Sequence, residues 1–380
     1  MKLTPPKISI LGQDPNRKHR INANSFQQNA ITTIHGWQYA AFYTAASLSK
    51  TGSGCYVNIA RRRVCPEVRR ELVDEVVEEK WQVLTFGDYE QGLLSRLFAN
   101  MLVRAGLGSD LLYKYSAATH EYTFLGQHLT GISNSPYING IDYRQDKLYI
   151  SWCYRNFITP PSPVAADAHQ QQAGPNGPEN NFDLNYAFSD DQGVTWKNSQ
   201  GRVLACMEGG EGVETTILPG AEGVRVFEIP MGSGILNQEG QGADWNGGFW
   251  VLNRERVDGE MAWIVYSRDP EGIWMRMIID GVLRPTETGS RGNVCVDRKG
   301  DVYLVLPGNS DASLNIMRAR KQEQYSRFEQ VWMWDGFDGE PLVDVRRLET
   351  SDVLSVFSRT SADVNGIRNV VVLDLLLTEV

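Results

Sequence analysis

The amino-acid sequence predicts an all-β fold built from repeated small sheets, and three observations support this prediction. Short apolar runs bounded by Gly, Asp and Asn occur along the whole chain, which is the pattern of strands joined by tight turns. Similar strands recur at intervals of about 50 residues, a period typical of repeat architectures. The third observation is a turn motif that belongs to hairpins of such sheets.

The clearest strands are predicted in four places, 148–152, 248–252, 301–306 and 353–357. Equivalent positions in these strands are Tyr149, Phe249, Val302 and Leu354, which follow one another at intervals of 100, 53 and 52 residues. If the first interval spans two repeats, seven repeats of about 50 residues nearly fill the chain. We therefore predict a seven-bladed β-propeller that forms one domain over 1–380, with a short irregular N-terminal segment at 1–25.

The turn motif lies at Ser189-Asp-Asp-Gln-Gly-Val-Thr-Trp196 and fits the Asp-box pattern S-x-D-x-G-x-T-W. We expect Asp191 to accept hydrogen bonds from turn amides and Gly193 to supply a positive φ. We expect Trp196 to fold onto the core of its sheet. The motif indicates a blade hairpin and carries no information about catalysis.

Two segments depart from the strand pattern. Over 88–108 the apolar residues recur at helical spacing, which predicts an amphipathic helix or a disrupted blade. Residues 159–182 are polar and rich in Pro and Gly, which predicts a long loop. Long loops on rigid scaffolds commonly carry binding sites.

Composition excludes several classes of function. Thirty-seven Lys and Arg against 46 Asp and Glu give a net charge of −9, the wrong sign for coating nucleic acid or an anionic membrane. The five cysteines are scattered, so neither a disulfide framework nor a zinc site is indicated. The N-terminus shows no secretory signal, which predicts a cytoplasmic protein, or a secreted one if the true start supplies a leader. We also expect a monomer.

The first candidate cluster surrounds His35. In Ile34-His-Gly-Trp-Gln-Tyr39, Gly36 allows close backbone approach, while Gln38 and Tyr39 offer polar and stacking groups. Such a cluster is typical of a sugar site, and packing at the start of a blade is the alternative interpretation. His169, in the long loop, is a further candidate for lining a pocket.

Arginines at strand ends form a second set, because a guanidinium donates two parallel hydrogen bonds to a carboxylate. Arg61 and Arg155 each end an aromatic strand, and a plain surface role is the alternative for both. Neutral groups at strand ends add donors and acceptors for hydroxyls rather than for metals, and these are Asn139, Tyr143, Asn181, Asn237 and Gln238. We predict no cofactor, with structural calcium left open.

Several segments resemble the BNR-repeat-containing family, the propellers that include ulvan lyases and L-rhamnose-α-1,4-D-glucuronate lyases. The resemblance is carried by His35–Tyr39, Trp81–Tyr89, Tyr137–Tyr143, Gln171–Asn181, the Asp-box and Leu236–Gln241. It implies β-elimination at a uronate in an acidic glycan, with His35 or Tyr39 as base or acid. Arg155, helped by Gln38 or Asn139, would neutralise the carboxylate, and the other neutral residues would bind substrate.

The sequence departs from the family pattern after Tyr89. The family continues with a D-[GS]-H-N segment that supplies a second histidine, whereas Glu90-Gln-Gly-Leu-Leu94 follows here. A lost exon, a gene-model error or a paralogue without catalysis would each explain this. Two rivals of the lyase prediction therefore remain: a glycoside hydrolase or sialidase on the same scaffold, and a non-catalytic sugar-binding or protein-interaction propeller.

Overall fold

A computed structural model describes residues 5–17, 20–45, 55–64, 80–86, 101–102, 108–116, 118–156, 178–279, 284–308 and 312–377. The chain divides into two compact units. Unit 1 comprises residues 1–94, 280–285 and 289–380, and unit 2 comprises 95–279 and 286–288. Within the described residues, no helix has the length and apolar character required to cross a bilayer.

Strands dominate both units. The N-terminal part contains β1 (Lys7–Gln13), β2 (Ile31–Ile34), β3 (Trp37–Ala45), β4 (Cys55–Arg63), β5 (Gln82–Phe86), β6 (Met101–Leu102), β7 (Ser109–Ser116) and β8 (Glu121–Thr130). The middle contains β9 (Asn134–Arg144), β10 (Lys147–Asn156), β11 (Asn181–Ser189), β12 (Thr195–Lys197), β13 (Val203–Cys206), β14 (Arg225–Phe227), β15 (Gly240–Ala243), β16 (Phe249–Val257), β17 (Glu260–Arg268) and β18 (Trp274–Ile278). The C-terminal part contains β19 (Asn293–Val296), β20 (Val302–Pro307), β21 (Ser313–Ala319), β22 (Glu329–Asp335), β23 (Leu342–Val343), α1 (Val345–Ser351), β24 (Val353–Arg359) and β25 (Asn369–Leu376).

Unit 1 contains three four-stranded antiparallel sheets among its described residues. Their strand orders are β2-β3-β4-β5, β19-β20-β21-β22 and β1-β25-β24-β23. Central strands are buried on both faces, so β20 and β21 read as continuous runs without a solvent-facing side. An apolar core of this unit includes Val305 of β20 and Ile316 of β21, together with Val371 of β25.

The N-terminal segment corrects one prediction. Residues 1–25 were expected to be irregular, yet β1 pairs with β25 from Lys7 opposite Asp374 onward. Ile8 and Ile10 are 42% and 64% exposed and only Leu11 is buried. The alternating Ile8 and Ile10 therefore point away from the core, and β1 is a strand because it pairs with β25 at the far end of the chain.

Unit 2 contains a four-stranded sheet in the order β15-β16-β17-β18 and a larger sheet in the order β13-β12-β11-β10-β9, with β14 also pairing to β11. Strands β6, β7 and β8 form a third sheet. The larger sheet packs on a core that includes Trp152, Trp196 and Leu129. Strands β9, β10 and β11 carry four of the polar residues that the sequence singled out, namely Asn139, Tyr143, Arg155 and Asn181.

The four strands predicted from apolar runs are confirmed as β10, β16, β20 and β24. The Asp-box forms the predicted hairpin between β11 and β12. Asp191 Oδ1 accepts from the Thr195 amide at 2.8 Å, Gly193 has φ 94°, and Trp196 is fully buried. Local turn chemistry in this segment was therefore sufficient to predict its structure.

A second turn recurs in both units, with Asp or Asn followed three residues later by Gly. Its side-chain Oδ1 accepts from the amides two and four residues onward, at 2.7–2.9 Å for Asp244, Asp297 and Asp363. The glycine has φ between 77° and 88° in these three turns, a region that few other residues adopt. The carboxylate satisfies the turn amides, so short strands reverse without long loops.

The two irregular segments have different outcomes. The helix predicted over 88–108 is contradicted at Met101–Leu102, which form β6 and pair with Asp110 and Ser109. Pairing with β7 overrides the local periodicity there, and the alternative of a disrupted blade stays a prediction. The remainder of that segment lies outside the described residues, apart from Gly108. Of the predicted loop, 178–182 is described and contains a short 3₁₀ turn at Pro178–Asn180 and the start of β11.

Candidate active site

Three strands of the larger sheet in unit 2 bring their ends together around Arg155. This residue lies near the end of β10, where its Cα pairs with Ser135 at the start of β9 and with Asn181 at the start of β11. Antiparallel pairing places the end of one strand beside the beginnings of both its neighbours. Side chains from three different parts of the sequence therefore meet at one edge.

Two buried amides hold the Arg155 guanidinium. Its Nε donates to Asn181 Oδ1 at 2.8 Å and its Nη2 donates to Asn237 Oδ1 at 3.2 Å. Among the described residues, no carboxylate lies within ion-pairing distance of Arg155 and no acceptor binds its Nη1. The positive charge is therefore oriented by neutral groups, and one donor nitrogen is left for a ligand.

Tyr137 completes this cluster. The Arg155 guanidinium lies 4.7 Å from the centroid of the Tyr137 ring, a distance typical of a cation–π contact. Burial raises the pKa of the Tyr137 hydroxyl, and the nearby Arg155 lowers it by less, so the net pKa lies above its usual 10.0. Tyr137 therefore keeps its proton at neutral pH and can donate it.

The segment before β15 is fixed to the sheet from both sides. Asn181 Nδ2 donates to Ile235 O at 3.0 Å, and Asn253 both accepts from Leu236 N at 2.9 Å and donates to Leu236 O at 2.8 Å. These bonds determine where Asn237 presents its amide. The site is thus built on a supported segment rather than on a free loop.

Glu239 follows in the same segment and forms a fully buried ion pair with Arg254. The guanidinium of Arg254 lies 4.6 Å from the Trp263 ring centroid, and its Nη1 donates to Thr286 O at 2.7 Å. Both charges are therefore neutralised within the protein. Gln238 stands between Asn237 and Glu239 in the chain and is partly buried, with a φ of 57°.

Asn139 and Tyr143, which the sequence also indicated, lie further along β9. The Asn139 amide is buried and donates to Ser151 Oγ at 2.9 Å. Tyr143 is 46% exposed and its hydroxyl donates to Asp146 at 2.9 Å. Because a strand rises about 3.3 Å per residue, Tyr143 is roughly 20 Å from Tyr137 along β9. Neither contacts the Arg155 cluster, and their predicted roles stay predictions.

In unit 1, His35 is exposed at the turn between β2 and β3. His35 and Gly36 have φ of 49° and 76°, which is the backbone pattern of a type I′ hairpin turn. Tyr39 pairs across the sheet with Arg61, and the Arg61 guanidinium lies 4.8 Å from the Trp37 ring centroid. Trp37 and Tyr39 therefore lie with Arg61 on one face of β3 and β4, next to the turn that carries His35.

Gln38 points to the opposite face and is fully buried. Its Nε2 donates to Asp344 Oδ2 at 2.8 Å, and its Oε1 accepts from Arg62 Nη2 at 2.6 Å and from Arg347 Nη1 at 3.2 Å. Both arginines also pair with Asp374. Gln38 therefore serves as the hub of a structural network, and substrate binding there would require the network to open.

A further histidine is buried in the core of unit 2. Burial lowers the pKa of His128 to about 3, and its ring stacks on Trp196 with 5.3 Å between the ring centroids, so this residue is neutral and packs in the core. His169 lies outside the described residues. In the part of the chain that the structure describes, no group of three metal-ligating side chains occurs.

Tyr137 was missed among the candidates, although the segment that contains it was recognised. Its proximity to Arg155 follows from a pairing in which Cys153, not Arg155, is the direct partner of Tyr137. The available signal was the short connection between the two strands, because β9 and β10 form a hairpin that brings the start of β9 beside the end of β10.

Residues 101–281 match a family described as BNR repeat-containing family member. The predicted resemblance to the BNR-repeat family is confirmed. The matched BNR region includes Tyr137, Arg155, Asn181 and Asn237, together with the Asp-box. Among curated proteins, no sequence relative matches this chain.

Two solved structures show the same fold as this chain. Polysaccharide lyase Uly1 is 11% identical, with a TM-score of 0.57 over 97% of this chain and 94% of that one. An ulvan lyase of family PL25, solved bound to -[GlcA(1-4)Rha3S]-, is 12% identical, with a TM-score of 0.51 over 93% of each chain. The all-β propeller class is confirmed by these likenesses, whereas the seven-blade count and the single-domain organisation stay predictions.

Proposed function

We propose that this protein is a polysaccharide lyase that cleaves a uronate-containing acidic glycan by β-elimination. The observation that carries the proposal is the Arg155 cluster. A guanidinium held by two neutral amides, with no carboxylate partner among the described residues, lies against a protonated tyrosine. An arginine with uncompensated charge suits a planar carboxylate.

The reaction requires three events at the uronate. A base takes the proton from C5, the electron pair of that C–H bond forms the C4–C5 double bond, and the C4–O4 bond breaks. The leaving O4 takes a proton from an acid, so the products are an unsaturated uronate and a free hydroxyl. Elimination is slow unless the carboxylate charge is neutralised, because negative charge builds on it as the proton leaves.

Arg155 is suited to the neutralising role, with Asn181 and Asn237 orienting its guanidinium. Tyr137 is suited to be the acid, because its raised pKa keeps the hydroxyl protonated until O4 leaves. The base is the remaining role. The sequence predicts His35 or Tyr39 as base or acid, and that assignment stays a prediction.

The two solved lyases that share this fold support the proposal at the level of reaction class. We propose a rhamnose–glucuronate linkage as the substrate, because the resemblance read from the sequence points to that group of enzymes. A hydrolase is less well supported. Hydrolysis of a glycosidic bond needs two placed carboxylates, and Glu239, two residues after Asn237, is committed to Arg254.

The test is incubation with ulvan or gum arabic while absorbance is followed at about 235 nm, where the new C4–C5 double bond of a uronate absorbs. We expect absorbance to rise with the wild-type protein. Arg155→Gln should lower kcat/KM by about a hundredfold to a thousandfold, the usual effect of removing one charge-stabilising group.

Arg202→Gln is the matched control, because Arg202 is a surface arginine of the same unit with a 61% exposed side chain. It should retain activity. Release of reducing sugar without absorbance would indicate a hydrolase, and glycan binding without either product would indicate a binding protein. An Arg155→Gln variant with full lyase activity would remove the Arg155 cluster from the mechanism.

A further inference from the structure

A separate polar cavity of about 230 Å³ lies in unit 1, where β1 and β24 end and β25 begins. No residue of the Arg155 cluster contributes to it. Its walls include four arginines, one carboxylate and a glycine turn: Arg17, Arg20, Arg359, Arg368, Asp14 and Gly366. Four guanidinium groups around so small a volume indicate a site for negative charge.

Two carboxylates fix the orientation of two of these arginines. Arg359 donates from Nη1 to Asp14 Oδ2 at 2.9 Å and from Nε to Asp338 Oδ1 at 2.7 Å. Arg368 donates from Nε to Asp338 Oδ2 at 2.8 Å. Asn22 takes the remaining Asp14 oxygen at 2.7 Å. The carboxylate oxygens are therefore occupied by bonds within the protein.

Arg20 is held from the other side. Its Nη2 lies 2.7 Å from Glu340 Oε1, and its Nη1 donates to Ser290 Oγ at 3.0 Å and to Asp338 O at 3.1 Å. Its side chain is 19% exposed. Burial lowers the pKa of Arg20, and the positive charge of Arg359 acts in the same direction, although Glu340 opposes both. Such crowding of like charges is relieved when an anion binds.

Several donors of these arginines have no partner among the described residues. They are the two Nη groups of Arg368, the Nη2 of Arg359 and the whole guanidinium of Arg17. Each of these residues lines the cavity. The carboxylates hold Arg359 and Arg368 in place and leave their other nitrogens unused, which is how a preorganised anion site is built.

We propose that this cavity binds an oxyanion group, namely a sulfate, phosphate or carboxylate, which bridges Arg17, Arg359 and Arg368. The group is either a free anion or an anionic substituent of a glycan. Both sources present the same planar or tetrahedral set of oxygens to the guanidinium donors.

The test is isothermal titration of the full chain with sodium sulfate against sodium chloride at matched ionic strength. We expect saturable sulfate binding that Arg17→Gln and Arg368→Gln each weaken about tenfold, since each removes charge-assisted hydrogen bonds. Arg359→Gln is avoided because it also frees two carboxylates, and far-UV circular dichroism verifies that the two chosen variants are folded.

Two matched variants complete the design. Arg327→Gln changes a 69% exposed arginine of the same unit and should bind sulfate as the wild type does. Arg155→Gln should also bind normally, so this result is independent of whether lyase activity is found.

Further titrations with glucose 6-sulfate, glucuronate and glucose distinguish the source of the anion. Tighter binding of the charged sugars than of sulfate identifies a glycan substituent, and tighter binding of sulfate identifies a free anion. Equal sulfate binding by all arginine variants, or binding of none of the four probes, would overturn the proposal.

Discussion

Each unit has a cluster in which arginine meets side-chain amides, and these two clusters differ in the charge of the partners. In unit 1, Arg62 and Arg347 share the carboxylate of Asp374, and Gln38 links them to Asp344. In unit 2, the hydrogen-bond partners of Arg155 within the described residues are the neutral amides of Asn181 and Asn237. Both clusters join arginine to side-chain amides, but the arginines of the first are neutralised by carboxylates and the arginine of the second keeps its positive charge.

This difference separates a structural role from a binding role. Buried charges that neutralise each other hold strands together, and they offer nothing to a ligand. A guanidinium positioned by neutral groups keeps its charge for a partner from outside the protein. The expected consequences are loss of stability when the first cluster is altered and loss of activity when the second is altered.

The largest effect is expected for Asp374→Asn, which removes the carboxylate charge that Arg62 and Arg347 share. We expect the free energy of unfolding to fall by about 3–5 kcal/mol, measured by urea denaturation. Burial raises the pKa of Asp374, but Arg347 and Arg62 outweigh it, so the folded pKa lies below the ordinary 3.8. This stabilisation is therefore complete above that pH and is lost as the pH falls below it.

Asp352→Asn is the matched control for that experiment, because Asp352 pairs with Arg298 at the surface. It should change the free energy of unfolding by less than about 0.5 kcal/mol. If Asp374→Asn cost no more than this control, the buried network would not be what holds these strands.

The next effect is expected for Tyr137→Phe, which removes the proposed acid and keeps the ring beside Arg155. We expect kcat for elimination to fall about a hundredfold with little change in KM. Because the pKa of Tyr137 is raised above 10.0, the wild-type rate should not decline through this group below that pH. Tyr115→Phe, at an exposed tyrosine of the same unit, should retain activity. A Tyr137→Phe variant with unchanged kcat would reassign the acid.

A nearly isosteric change sharpens the comparison directly. Asn237→Asp places a carboxylate where an amide oxygen now lies 3.2 Å from Arg155 Nη2, which converts the open cluster into a neutralised one. We expect KM for the glycan to rise about tenfold, since the new charge competes with the substrate, while the protein stays folded. Asn246→Asp, at an exposed turn, is the control. An unchanged KM would mean that the charge of Arg155 is not what binds substrate.

The smallest effect is expected in the Asp-box. Burial raises the pKa of Asp191, but the hydrogen bonds from Thr195 and Ser189 lower it by more, so its folded pKa lies below 3.8. Asp191→Asn should cost about 0.5–1 kcal/mol at neutral pH, and the difference from wild type should vanish as the pH falls below that value. The neighbouring Asp190→Asn, which affects only a surface pair with Lys197, should show no such dependence. Lyase activity should survive both changes.

Predictions from sequence succeeded where the structure depends on neighbours along the chain. The strands that became β10, β16, β20 and β24, and the hydrogen bonds of the Asp-box, depend on apolar runs and turn residues a few positions apart. They failed at β1, and they gave no indication of the buried network around Gln38. Strand β1 pairs with β25 at the other end of the chain, and Gln38 contacts Asp344 across 306 residues.

The sequence by itself determined the class of the fold, the hairpins and the presence of arginines suited to carboxylates, because turn preferences and side-chain chemistry act over short distances. Only the tertiary structure decided which arginine is neutralised and which is left to bind. That depends on whether strand pairing places a carboxylate or an amide beside each guanidinium, and no local pattern encodes the charge of a partner so remote in the chain.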